Sequence, residues 1–494
     1  MSGELSVIGP RSAPAWLGVA ALACLLGVVA CREREAGDDP RSGVELADGA
    51  GASGAGALPP LLPVRRLAGE ADGGFPLAAR MARFGVEAVS VASVEDGEPR
   101  GSWAAGRSPE GVPVTAATLF PGGAITDPLG AAMIGVAVLC WSAATGGELE
   151  APIGSWVSSP AIEPSAQAPP PTVAQLLGHV GGLADDDPGT AGPPDGRLRA
   201  LAAPRGVLPL VDRPGRRFRY SPAGVLLLRE LLLARGGDRG DDLQDHLDEL
   251  LLEPAGLRST FVETPVQRLP GIVLAAPATD GAAVAADLWT TSSDLARLLA
   301  ALIASARGVE PDTLLPWPLA RRALTAGPGG FGWGFRIVEP GPRFELAVER
   351  DGLAVLAVGF VGSREGLVVM TAAGRGAWLS REILHGWAQA RGWPGFEPET
   401  VAAAPTPSVA LAVAGRYRLA EGDLVVEVED GRLVVDAEPG VLGEEAVREP
   451  IYPREPLRYV FLERAESLTF VTRRGGGVRG VLLGERSGPR VDVP

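Results

Sequence analysis

Two strand-like runs, Val86–Val94 (VEAVSVASV) and Gly366–Thr371 (GLVVMT), bracket a long helical middle. β-Branched residues crowd the outer runs, whereas apolar residues recur at helical spacing over Gly130–Trp141, Val225–Ala234, Asp242–Leu252 and Ser293–Ser305. Asp294 lies near the start of the last run, where a carboxylate can cap a helix. Such a chain buries its strands by joining its two ends in one sheet and packing helices against it. With 494 residues, of which 46% are hydrophobic, it exceeds one ordinary core and predicts two domains plus tails.

The pattern changes past 394–408 (PGFEPETVAAAPTPS), which reads as a linker. In the tail, 409–494, Leu424–Val428 and Arg432–Val435 flank Asp430-Gly431, a hairpin signal. Short strands follow at Leu457–Leu462, Leu468–Thr472 and Val478–Leu483. Even spacing of this kind predicts a small antiparallel barrel. No internal repeat is visible.

At the other end, residues 16–30 (WLGVAALACLLGVVA) are apolar or small, too short a run for a membrane span, which needs roughly 20 residues. With Arg11 before it, the run reads as the core of a signal peptide over 1–30. It ends Val28-Val29-Ala30-Cys31 and turns polar at once, which resembles a bacterial lipobox with Cys31 as the lipidated residue. Ala21-Leu22-Ala23-Cys24 is a weaker competing site. Residues 31–65, rich in Gly, Ala, Asp and Pro, read as a flexible tether leading into a body over 66–393.

Charge and composition exclude several functions. The formal charge of −15 disfavours a nucleic-acid partner, because phosphate binding needs a basic face. No asparagine and no lysine occur, so all 45 basic residues are arginine. Arginine cannot replace lysine as a proton shuttle, since it stays protonated to above ~12. Cys24, Cys31 and Cys140 show no metal-site spacing, and His179, His246 and His385 are scattered, so neither metal nor cofactor is expected.

The order of segments over residues 80–390 resembles the β-lactamase-related serine hydrolases: class C β-lactamases, DD-peptidases, D-aminopeptidases and related esterases. Phe84–Gly97 is similar to the family's opening strand with its Asp-Gly turn, and Val114–Phe120 to the approach to the nucleophile helix. His179–Leu183 (HVGGL) resembles a His-Thr-Ser-Gly-Leu segment, and Pro214–Leu228 the stretch with the second catalytic motif. Leu252–Phe261 and Leu288–Leu299 resemble later helices and loops, and Phe331–Gly334 (FGWG) the lead-in to the third motif. The tail resembles the lipocalin-like barrel some members carry, with Gly415-Arg416-Tyr417 as its first strand. The resemblance implies an α+β fold of the β-lactamase/transpeptidase type, an antiparallel sheet packed by helices, plus the barrel.

It also implies acyl-serine chemistry, and the side chains for it are missing. A serine alcohol needs a base within hydrogen-bond reach. The family's Ser-x-x-Lys falls on Ala124-Ile125-Thr126-Asp127, so the nucleophile position has no oxygen and the base position has reversed charge. Tyr-x-Asn falls on Tyr220-Ser221-Pro222, keeping the tyrosine and losing the amide donor. The third motif falls on Arg350-Asp351-Gly352, where the positive charge survives without acid–base capacity.

Substitutes are poor. Thr126 stands one position off and reads as a packing residue at the helix start; Ser221 has no lysine to activate it; His179 reads as structural rather than as a base. Asp185-Asp186-Asp187 reads as a charged surface loop rather than a cation site. Gly362–Gly366 (GSREG) is a strand-connecting turn rather than a nucleophile elbow. Three functions stay open: an exported, inactive lipoprotein with a binding or structural role; an active serine hydrolase with a non-standard arrangement; or a scaffold that oligomerises through its barrel. Cleft partners of the first would be a small molecule, a peptidoglycan fragment or a protein. By resemblance, Asp127, Arg350 and Tyr220 line one cleft, which predicts an Asp127–Arg350 salt bridge, with Asp351 the rival partner for the arginine.

Overall fold

A computed structural model describes residues 57–491 except 71–72, 159–160, 163–168, 184–197, 199–201, 203–206, 235–241, 263–274, 276–286, 309–312, 339–342, 351, 443–445, 474–475 and 485. The proposed signal peptide, Cys31, most of the tether, Asp185–Asp187 and Asp351 lie outside the described residues. The chain divides into two compact units, one formed mainly by Pro76–Leu384 and the other by Pro59–Phe75 with His385–Pro494.

In the first unit the two ends do share a sheet. β1 (Ala88–Glu95) and β2 (Glu98–Gly106) form a hairpin, turned by Asp96 and Gly97 at φ 55° and 83°. The helices α1 (Pro128–Thr145), α2 (Pro222–Ala234) and α3 (Ser292–Arg307) follow. β3 (Arg336–Val338), β4 (Arg343–Arg350), β5 (Leu353–Phe360) and β6 (Glu365–Ala372) complete the unit's main sheet, ordered β2-β1-β6-β5-β4-β3 and antiparallel throughout. Val91 of β1 sits opposite Val369 of β6, joining residues from far ends of the sequence.

α3 lies on β1, β2, β5 and β6, and its apolar stripe (Leu295, Leu298, Leu299, Leu302) is buried. α1 is apolar all round and buried from Pro128 to Trp141. It is long and apolar enough to cross a membrane by composition, yet 78% of that span is buried in the fold, as expected of a central core helix. It packs on α2, β4 and the short strand Phe120–Gly123.

The second unit holds a closed barrel of eight antiparallel strands, from Gly415–Arg418 to Arg486–Val491. Each strand pairs with the next, and the last closes on the first through Tyr417↔Arg490. Alternating inward residues such as Tyr417, Leu424, Leu433, Val435, Leu468 and Phe470 fill it. The stretch expected to be a linker contains a strand, Glu399–Val401, paired in parallel with Arg65–Leu67, and the helix Pro407–Val413 begins at its end. Proline and alanine content hid a pairing whose partner is 334 residues away.

Candidate functional site

The strand Phe120–Gly123 pairs with Leu288–Thr290 and delivers the chain to a turn over residues 124–127. The Asp127 N–H closes that turn on the Ala124 carbonyl at 2.9 Å. Pro128 then starts α1, the first helical position being where a missing N–H costs least. Gly123 has a φ of 89°, and a Cβ built there would come within 2.5 Å of Asp127 Oδ2, so only glycine fits beside this carboxylate.

Asp127 uses both oxygens. Oδ2 accepts the Ala124 N–H at 2.8 Å, and Oδ1 accepts Nη2 of Arg350 at 2.7 Å. The expected salt bridge is therefore present, with the aspartate side chain 2% exposed and the arginine 27%. The next backbone donor, Ile125 N–H, goes to Asp287 Oδ2 at 2.8 Å. Sequence reading missed Asp287. Its only signal was its place just ahead of Leu288–Thr290, the strand that pairs with the approach to the turn.

Ala124, the expected nucleophile position, is wholly buried. Tyr220, also buried, donates its hydroxyl to the Thr126 carbonyl at 2.8 Å, so it supports the turn through the backbone. The Thr126 hydroxyl is itself buried, with no hydrogen-bond partner among the described residues. The expected second motif likewise sits at a helix start. The Ser221 hydroxyl accepts the Gly224 N–H at 3.1 Å, and Pro222 is the first residue of α2. At both expected motifs a polar residue, Asp127 or Ser221, precedes a proline that starts a helix.

His179 is buried beneath this turn. Its ring stacks on Tyr220 at 4.2 Å and meets Phe218 and Phe331 edge-on. Nδ1 accepts the Ser221 N–H at 3.4 Å, which requires that nitrogen unprotonated, and burial pushes the imidazole from its usual 6.5 down to about 4. It is a neutral packing residue near pH 7. Burial also pushes the Cys140 thiol up to about 12, too high to supply a thiolate at neutrality.

Arg350 ends β4 opposite Leu353, and Gly352 at φ 77° makes the turn into β5. Residues 361–364 join β5 to β6, so Gly362–Arg364 of GSREG lie in a strand-connecting turn and Glu365 and Gly366 open β6. Thus Ala124, Asp127, Tyr220 and Arg350 form one linked cluster, while Pro222 and Gly352 shape the elements that hold it.

With that arrangement established, the Beta-lactamase family model matches residues 52–405. The chain belongs to the beta-lactamase family. Among solved structures, the octameric penicillin-binding protein homologue from Pyrococcus abyssi shares 17% identity at a TM-score of 0.55, covering 83% of this chain and 98% of that one. SurE, solved with D-Leu, shares 21% at 0.53, covering 84% and 97%. FmtA from Staphylococcus aureus shares 14% at 0.50, covering 67% and 88%. At such identities the likeness is one of fold. No curated protein sequence matches. Within this beta-lactamase-family fold, the turn over residues 124–127 presents a carboxylate tied to an arginine.

Proposed function

We propose that this chain is an exported, catalytically inactive beta-lactamase-family lipoprotein with a binding or structural role in the bacterial cell envelope. The observation that carries the reading is the Asp127 carboxylate, bonded to Arg350 and to the Ala124 N–H at a turn whose nucleophile position is a buried alanine. Acyl transfer needs a nucleophile and a nearby base. Ala124 has no oxygen, the Tyr220 hydroxyl donates to a carbonyl, and no lysine exists in the chain. The apolar run ending at Cys31 supports export and lipid attachment on the periplasmic side or outer surface. The partner class is a peptidoglycan fragment, another small molecule or an envelope protein. Turnover of nitrocefin, D-Ala-D-Ala peptides and short esters tests the inactive site. Rates at background are expected, also for Ala124→Ser, which still lacks a base; robust hydrolysis by the wild type would end the reading. Intact-mass analysis of protein from membranes tests export, with cleavage before Cys31 and acylation expected.

A further inference from the structure

Asp127 is held in the way a bound anion is held. A backbone N–H, from Ala124, and a guanidinium, from Arg350, converge on its two oxygens at 2.8 and 2.7 Å. This is a donor set that stabilises oxyanions. The following N–H, from Ile125, is taken by the carboxylate of Asp287, so two successive backbone donors of one turn each face a carboxylate. The lack of a side chain at Gly123 makes room for that oxygen, since a Cβ there would lie 2.5 Å from Asp127 Oδ2.

We propose that the former nucleophile turn is a carboxylate-binding site filled by the chain's own Asp127, an internal occupant that keeps external carboxylates out. The occupant is tethered three residues from the N–H it serves, so its effective concentration far exceeds that of a free anion. Wild-type protein should therefore ignore small carboxylates. Shortening residue 127 leaves the Ala124 N–H and the Arg350 guanidinium facing a space of carboxylate size. This deepens the inactive-site reading, and the two fail separately: turnover by the wild type sinks that reading, while a silent titration sinks only this one.

The test is thermal unfolding of the full chain in sodium formate against sodium chloride at equal ionic strength, formate being the carboxylate that fits beside the alanine Cβ. Asp127→Ala should melt below wild type in chloride and rise saturably in formate, by about 5 °C at a hundredfold excess over the dissociation constant. Wild type should not respond, and Arg350→Ala added to Asp127→Ala should abolish the response. Should Asp127→Ala be unfolded in chloride, recovery of its circular dichroism on refolding in formate alone supports the proposal. Identical behaviour of Asp127→Ala in the two salts, folded or unfolded, overturns it.

Discussion

Asp127 and Arg350 share one ion pair but stand to lose different amounts when it is broken. The carboxylate is 2% exposed, whereas the guanidinium at 27% can turn toward water. Arg350→Ala takes the guanidinium away from a buried carboxylate and is expected to cost about 3 kcal/mol, with Asp127→Ala costing less. Because each change removes the same contact, the double mutant should fall short of the sum by roughly 1–3 kcal/mol in urea melts. Additive losses would show that the contact contributes nothing. His179 gives a second residue-scale test. Burial holds its folded-state pKa near 4, against 6.5 when free, so between those values the unfolded chain binds the extra proton. That contribution is complete above pH 6.5 and is lost as pH falls toward 4, by about 3 kcal/mol in all. His179→Asn, which tolerates the φ of 51° at that position, should flatten this part of the pH–stability curve. An unchanged slope would mean another group titrates there.

At the scale of elements, local turn chemistry was the most legible feature. Asp96-Gly97 and Asp430-Gly431 both turn hairpins with positive φ at each residue, as the Asp-Gly signal predicts. Gly431→Ala, with no atom within 4 Å of the new Cβ, should cost only the left-handed backbone penalty of about 1–2 kcal/mol. Gly106→Ala should cost clearly more, because its Cβ would fall 1.9 Å from the Glu87 carbonyl oxygen. Equal losses on denaturation would contradict that ranking. Less legible was the helical run Asp242–Leu252, which divides into the helix Leu243–Leu247 and a wider turn over Asp248–Leu252. Gln244 bonds Asp248 and the Val262 N–H there, and such side-chain bridges leave no trace in hydrophobic spacing. At the site, the residue types at 124 and 127 were legible because a family motif fixes their spacing. Asp287 was not, because only the fold brings it to the Ile125 N–H.

Across the whole molecule, the antiparallel sheet packed by helices and a small antiparallel barrel were legible in the order of segments, whereas the barrel's count of eight strands was not. Residues 59–75 group with 385–494, so this unit takes in the end of the expected tether and both ends of the expected body as well as the tail. Arg65 explains part of that: wholly buried, it bonds Glu399 at 2.9 Å and donates to the Phe461 carbonyl at 2.7 Å. Arg65→Ala should destabilise this unit by about 2–3 kcal/mol, seen as earlier proteolysis of the barrel segment, and unchanged protection would deny it that role. The central claim concerns the other unit, that a beta-lactamase-family fold here carries no acylating group. Intact-mass spectrometry after incubation with a reactive β-lactam and with a fluorophosphonate tests it most directly. The account predicts an unshifted mass with both probes; a stoichiometric covalent adduct with either would contradict it.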